Sequence, residues 1–160
     1  VDDHFDVLRR EIEAAKGTVV KTMGDAVMAS FQDPGACLSA ARRCLEVFER
    51  FRAEHPYGDK TGLKLGFFAG PCYVVSANGI LDYFGQTVNV ASRLQHLAES
   101  GEIVAPRAAL EGLDLGPFER IEEREVTVKG VAAPIPIVRL RPRAGPSEPQ
   151  PAPKPPGGGP

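Results

Sequence analysis

Two β-rich runs lie only two residues apart near the start of the chain, and this spacing constrains the fold more than any other feature. The runs are Thr18–Met23 and residues 26–31, with Gly24 and Asp25 between them. Because two residues of this kind leave room only for a tight turn, the runs predict an antiparallel β-hairpin.

Helical and strand periodicities alternate along the rest of the chain. Apolar residues recur at helical spacing over 5–15, after Pro34 and over 86–99. Further strands are predicted at 63–68, 73–75, 102–104, 126–128 and 135–140, with a second hairpin around Asn78-Gly79 and a short helix from Pro106. This order predicts an α+β fold, with helices packed on one side of a mostly antiparallel sheet. The pattern resembles a ferredoxin-like fold that lacks a strand at the front.

The composition divides the chain into a domain and a tail. The 160 residues fit one domain, and 42% hydrophobic residues supply material for a core. Residues 146–160 hold seven of the 15 prolines and a Gly-Gly-Gly run, which cannot build a core. We therefore expect a domain over 1–143 and an extended linker or tail over 144–160, with a ligand for a proline-binding domain as the alternative.

The charge balance and the cysteine content narrow the class of protein. Nineteen Lys and Arg against 21 Asp and Glu give a net charge of -2, which argues against nucleic acid or an anionic membrane as a partner. No uninterrupted apolar run has the length of a membrane span. The three cysteines are sparse and odd in number, which is typical of a reducing, cytoplasmic compartment.

Several polar residues are candidates for chemistry. Asp25 lies in the tight turn, where a carboxylate could bind Mg²⁺ or could simply favour the turn. Asn89 and Arg93 are four residues apart on a predicted helix, so they share a face that could hold a sugar and a phosphate, or be an ordinary polar face. Lys21 in its strand and Lys129 in a Lys-Gly turn are further cationic candidates, each with a plain structural alternative.

Two glycines indicate backbone geometry rather than chemistry. Gly66 and Gly70 bracket a Phe-Phe-Ala run, and a glycine inside a strand marks a bulge or a close approach of another backbone. Taken together, the candidate side chains would suit a Mg²⁺–nucleoside triphosphate.

Three segments of the chain resemble one enzyme family. Residues 17–31, 82–93 and 126–130 are similar to the second strand pair, the central signature and the closing phosphate-site turn of class III adenylate and guanylate cyclase catalytic domains. The similarity runs from about residue 5 to residue 140, and two long motifs in the expected order are far more specific than a single short motif.

The resemblance implies a role for each candidate. Asp25 matches an aspartate that binds Mg²⁺ or Mn²⁺. Lys21 and Asp82 match the pair that recognises the purine, and this combination goes with adenine. The lysine donates to a ring nitrogen and the aspartate accepts from the exocyclic amine, whereas the oxo group of guanine would face a repelling acceptor.

The remaining matches concern the ribose and the phosphates. Asn89 matches the residue that orients the ribose, Arg93 the residue that stabilises charge on the transferred phosphate, and Lys129 a triphosphate-binding lysine. The implied reaction is attack of the ribose 3′-hydroxyl on the α-phosphate of ATP, which yields 3′,5′-cyclic AMP and pyrophosphate. The resemblance also implies a homodimer that shares its sites between protomers, and a regulatory domain in the full-length protein.

One departure from the family pattern leaves alternatives open. The family's first strand carries a second metal-binding aspartate, whereas Asp2, Asp3 and Asp6 are typical of the first turn of a helix. We therefore expect either a cyclase domain truncated at its N-terminus or a catalytically inactive cyclase-like domain that dimerises and regulates. A ferredoxin-like RNA-binding module is a third alternative, which the net charge disfavours.

Overall fold

The computed structural model describes residues 2–54, 62–70, 73–77 and 80–143. Its helices are α1 (Asp2–Ala14), α2 (Pro34–Glu54) and α3 (Gln86–Leu97), and a 3₁₀ turn spans Arg107–Leu110. Its strands are β1 (Thr18–Met23), β2 (Ala26–Ser30), β3 (Lys64–Gly66), β4 (Tyr73–Ala77), β5 (Ile80–Phe84), β6 (Glu102–Pro106), β7 (Phe118–Val126) and β8 (Ile135–Pro142).

The strands form three sheets within the described residues. β1 and β2 form one antiparallel hairpin, and β4 and β5 form another. The third sheet has four strands in the order β3-β6-β8-β7, in which β3 and β6 are parallel and the other pairs are antiparallel. The α+β class and the mostly antiparallel sheet are confirmed.

The helices lie on both faces of the four-stranded sheet, so the expectation of helices on one side was wrong. From α2, Leu38 and Leu45 join the apolar cluster that contains Ile103 of β6. From α3, Leu94 joins the cluster that contains Val104, the next residue of β6. Successive side chains of a strand point to opposite faces, and every residue of β6 is buried, so each face of the sheet needs a covering helix.

A third apolar cluster holds the first hairpin to the helices. Leu8 of α1 packs with Cys44 and Phe48 of α2, and Val27 of β2 lies against them. Cys37 and Cys44 of α2 are both free thiols that pack against apolar neighbours. Burial raises the pKa of each thiol to about 12, with a smaller contribution from Glu11 at Cys44.

The predicted strand at 126–128 is wrong, because β7 spans Phe118–Val126 and ends where that strand was expected to begin. β7 carries charges at most positions, its sequence being Phe-Glu-Arg-Ile-Glu-Glu-Arg-Glu-Val. It pairs with β8 alone in the described sheet, so its charged side chains face water at a sheet edge. Val128 instead packs into the cluster under α3.

The other predicted elements differ from the structure only at their ends. β3 is shorter than predicted, although Phe67 N–H continues its ladder by donating to the Val104 carbonyl at 2.9 Å. The turn at Asn78-Gly79 and the tail over 144–160 lie outside the described residues. None of the helices that the structure describes has the length and apolar character that a membrane span requires.

Candidate functional site

The β1–β2 hairpin places Asp25 and Lys21 as the sequence predicted. Met23 pairs with Ala26 across the turn, and Gly24 adopts the left-handed backbone with φ of 61° that such a turn favours. Asp25 is exposed at the tip, two residues after Met23, which is 47% exposed. Lys21 is half-buried on β1, and a bulge between Val19 and Lys21 resets which face of the strand each side chain occupies.

The strand that carries Lys21 lies beside the strand that carries Asp82. β1 contacts β5, and within β5 the backbone of Asp82 pairs with that of Val75. The side chain of Asp82 lies outside the described residues. The structure therefore brings the two strands together, and the pairing of their side chains stays a prediction.

Helix α3 presents Asn89 and Arg93 on an exposed face. The helix begins directly after β5, where Gly85 turns the chain with φ of 125°. Val90 and Leu94 are buried one residue along from Asn89 and Arg93, so packing of the apolar face directs the polar pair to solvent. The core face of α3 is centred on Val90 and Leu94, and Val88 is half-buried.

Gly66 allows α3 to lie directly on β3. A Cβ atom at Gly66 would collide with the carbonyl oxygen of Ala91 and the backbone nitrogen of Gln95. Of the two alternatives that the sequence left open at this glycine, a bulge or a close backbone approach, the structure shows the close approach. This contact fixes the distance between the middle of α3 and β3, and therefore the position of Arg93 relative to the sheet.

The turn that carries Lys129 is held at the first residue of α3. The Gln86 amide Nε2 donates to the Gly130 carbonyl oxygen at 2.6 Å. Val128, just before the turn, is 4% exposed and packs with Val90. Lys129 itself is exposed, so a solvent-facing ammonium lies in a turn held at the end of the helix that carries Asn89.

A buried ion network lies beyond the other end of α3. Glu102 is fully buried and accepts two hydrogen bonds from Arg139, each of 2.9 Å, and one from Arg141 of 3.1 Å. The backbone N–H of Glu99, just beyond α3, donates to Glu102 at 3.1 Å. Arg139 also contacts Glu122 of β7. The network therefore ties the end of α3 to three strands of the sheet.

The hydrogen bonds decide the ionisation of Glu102. Burial alone would raise the pKa of the Glu102 carboxyl, but the hydrogen bonds from Arg139 and Glu99, with the charges of Arg139 and Arg141, lower it below its usual range. The hydrogen bonds to Glu102 and Glu122 raise the pKa of Arg139. Glu102 is thus a carboxylate at neutral pH.

Sequence reasoning missed both Gln86 and Glu102. Glu102 carried a usable signal, since it is the charged first residue of the otherwise apolar strand β6. Gln86 carried none, because its partner Gly130 is 44 residues away.

Asp25 is the described carboxylate that the sequence proposes as a metal ligand. Within the ranges that the structure describes, no three His, Cys, Asp or Glu side chains lie close enough to hold an ion. Mg²⁺ is commonly bound through one or two carboxylates together with substrate phosphates. Asp25 at its exposed turn fits one such ligand position.

The candidate residues form two groups in one chain. One group is at α3, which carries Asn89 and Arg93 and holds the turn of Lys129 at its first residue. The other is at the tip of the β1–β2 hairpin, where Asp25 lies. Extensive contacts between that hairpin and α3 are absent from the described residues. The described contacts therefore hold the Lys129 turn at the helix that carries Asn89 and Arg93, and they show no comparable attachment of the hairpin to that helix.

Comparison with known proteins shows which family the chain belongs to. The family described as adenylate and guanylate cyclase catalytic domain matches residues 1–139. The pH-sensitive adenylate cyclase MT1302 of Mycobacterium tuberculosis is 33% identical over 144 residues, covering 84% of this chain and 32% of that protein. The adenylate cyclase of Mycosarcoma maydis is 29% identical over 138 residues, covering 72% of this chain and 6% of that protein.

Solved structures agree in fold. The adenylate/guanylate cyclase/hydrolase from Silicibacter pomeroyi aligns with a TM-score of 0.70 at 27% identity, covering 90% of this chain and 86% of that one. The guanylyl cyclase Cya2 aligns with a TM-score of 0.71 at 19% identity, covering 86% and 76%, which shows the fold alone. The chain spans about a third or less of the length of the sequence relatives named above. The chain belongs to the adenylate and guanylate cyclase catalytic-domain family.

Proposed function

We propose that the domain is an adenylate cyclase, which converts ATP into 3′,5′-cyclic AMP and pyrophosphate. The ribose 3′-hydroxyl releases its proton and its oxygen bonds to the α-phosphorus, while the bond from the α-phosphorus to the α–β bridging oxygen breaks and pyrophosphate leaves with that oxygen. The single observation that carries the proposal is the exposed amide and guanidinium on α3, with the Lys129 turn held at the start of the same helix.

Each side chain around α3 suits one part of the substrate. The amide of Asn89 can both donate to and accept from ribose oxygens, and so orients the sugar. Arg93, one helical turn further, offers forked N–H groups to the oxygens of the α-phosphate as negative charge develops there. Lys129 supplies a point charge for the outer phosphates.

An activity assay tests these roles. The chain with ATP and Mn²⁺ should yield a product that separates with 3′,5′-cyclic AMP by chromatography and has its mass. Arg93→Ala should lower kcat strongly and leave KM almost unchanged, because its interaction is strongest in the transition state. An equal loss in kcat and in substrate affinity would contradict that role.

We assign the preference for adenine over guanine to Lys21 and Asp82. An ammonium that donates to a purine ring nitrogen and a carboxylate that accepts from an amine together favour adenine over guanine. The adjacency of β1 and β5 supports this pairing. Lys21→Glu combined with Asp82→Cys should erode the preference for ATP over GTP, and an unchanged preference would show that other residues choose the base.

Asp25 is the proposed ligand of a divalent ion, Mg²⁺ or Mn²⁺. Such an ion neutralises charge on a triphosphate and polarises its phosphorus–oxygen bonds. Asp25 is exposed at a turn whose neighbour Gly24 leaves open space, so a triphosphate can approach it closely.

A homodimer completes the site. Within one chain the described contacts hold the Lys129 turn, but not the hairpin that carries Asp25, at α3, so a second copy would bring its hairpin tip to the α3 of the first. A two-fold dimer then has two equivalent sites, each with Asp25 from one protomer and Asn89, Arg93 and Lys129 from the other. The free thiols of Cys37 and Cys44 support placement of this enzyme in the reducing cytoplasm.

A second candidate function has one observation in its favour. No three His, Cys, Asp or Glu side chains of the described ranges lie close enough together to hold an ion, whereas an active site with two ions requires several anionic ligands. A domain of this kind would bind ATP, dimerise and regulate without turnover. Retained ATP binding with no cyclic AMP at any Mn²⁺ concentration would favour this regulatory function.

A further inference from the structure

The hydrogen bond between Gln86 and Gly130 joins two segments that the sequence keeps 44 residues apart. Gln86 is the first residue of α3, and its amide nitrogen lies 2.6 Å from the carbonyl oxygen of Gly130. Both residues are exposed, so their contact adds little to the apolar core. The effect of this hydrogen bond is therefore to position the turn relative to the start of α3.

The turn that contains Lys129 has a defined conformation. Val131 N–H donates to the Val128 carbonyl at 3.0 Å, which closes a four-residue turn with Lys129 and Gly130 at its centre. Gly130 has φ of 90°, and Lys129 has no positive φ, a combination typical of a type II turn. Only the outer side of this turn faces water, because Val128 and Val131 pack toward α3.

Two attachments thus determine the position of the Lys129 backbone. Val128 fixes the base of the turn through apolar contact, which is not directional. The hydrogen bond from Gln86 fixes the far side of the turn at Gly130, and a hydrogen bond is directional. Without it the turn would keep its base and lose its orientation relative to Asn89 and Arg93.

We infer that Gln86 is a positioning residue for triphosphate binding, which acts through the turn and holds the Lys129 ammonium beside the phosphate-binding face of α3. The inference rests on the role proposed above for Lys129. Gln86 itself does not contact the substrate. Its effect should therefore vanish once the lysine is removed.

Binding of 3′-deoxy-ATP with Mn²⁺ tests the inference. This nucleotide lacks the attacking hydroxyl, so it stays intact during calorimetric titration of the full chain. Gln86→Ala removes the donor, and the isosteric Gln86→Glu places an acceptor against a carbonyl oxygen. Each should weaken binding by about 3- to 10-fold, the usual effect of one hydrogen bond, while Gln32→Ala in an exposed loop should change nothing.

A double-mutant cycle separates positioning from a structural effect. Gln86→Ala in a Lys129→Met background should cause no further loss beyond about twofold. Losses that multiply, or a Gln86→Ala protein that binds as tightly as the wild type, would overturn the inference alone. A wild-type chain that does not bind 3′-deoxy-ATP, or binding that Lys129→Met leaves unchanged, would overturn the role of Lys129 and the inference with it.

Discussion

Replacing Arg139 by Met removes the centre of the buried ion network. Arg139 makes two 2.9 Å hydrogen bonds to the fully buried Glu102 and a further contact to Glu122. In the variant, the Glu102 carboxylate keeps only Arg141 at 3.1 Å and the backbone N–H of Glu99 at 3.1 Å. A buried charge thus loses its best partner and keeps weaker ones.

The cost of Arg139→Met follows from the burial of Glu102. Removing one partner of a buried ion pair costs about 3–5 kcal/mol. Arg141, whose side chain is 48% exposed, still offsets part of the charge, so we expect about 3 kcal/mol at pH 7. For a domain of this size that loss corresponds to a fall in Tm of about 6–12 °C.

Urea denaturation followed by circular dichroism measures this cost. The control is Arg120→Met, which removes an exposed ion pair to Glu123 and should cost less than about 0.5 kcal/mol. Adding Glu102→Leu to Arg139→Met should recover most of the lost stability, because no buried charge then remains. A loss below about 1 kcal/mol for Arg139→Met alone would refute the reasoning.

The pH dependence gives an independent check on the same network. The pKa of Glu102 is lower in the folded chain than in the unfolded chain, where it is about 4.3. Its stabilising contribution is therefore complete above that unfolded value and is lost as the pH falls through the folded value. The stability gap between the wild type and Arg139→Met should shrink below about pH 4, and a constant gap would contradict this assignment.

Three further predictions follow from packing and chemistry. Gly66→Ala should lower the unfolding free energy by about 2 kcal/mol or more because α3 must move off β3, whereas Gly35→Ala in α2 should be neutral or stabilising by chemical denaturation. Cys37 and Cys44 should react with iodoacetamide at pH 8 far more slowly than in urea, because burial raises the pKa of each thiol to about 12; peptide mass mapping measures this. Arg93→Ala should leave the unfolding free energy within about 0.5 kcal/mol of the wild type, because its side chain is exposed.

Local patterns predicted those parts of the fold that local physics determines. The hairpin at Gly24-Asp25 follows from turn chemistry, and the structure confirms it with a positive φ at Gly24. The close approach at Gly66 was also visible, because a glycine inside an apolar strand usually marks either a bulge or a neighbouring backbone.

Features that depend on distant partners could not be predicted in this way. β7 was missed because its charged sequence disfavours a strand until β8 supplies a partner and solvent takes the outer side chains. The presence of helices on both faces was missed because the strand β6 is too short to reveal by itself that both its faces are buried.

The candidate site also combines a feature that a local pattern predicted with one that depends on a distant partner. Asn89 and Arg93 share an exposed face, as the helical spacing of four residues predicted. The hydrogen bond that locates the Lys129 turn requires Gln86 and Gly130 to meet across 44 residues, which no local pattern encodes. The chemical role of each candidate residue stays a prediction, which the activity and binding assays test.

Complementation between two inactive variants tests the central claim, that two copies of this chain share a site that forms cyclic AMP from ATP. Asp25→Asn and Arg93→Ala should each abolish most activity alone. Mixed in equal amounts, half of the dimers should pair the two variants and regain one intact site, which restores about a quarter of the wild-type rate. A mixture that stays as inactive as its components, beside an active wild type, would contradict the shared site, and a wild type that forms no cyclic AMP would contradict the proposed activity itself.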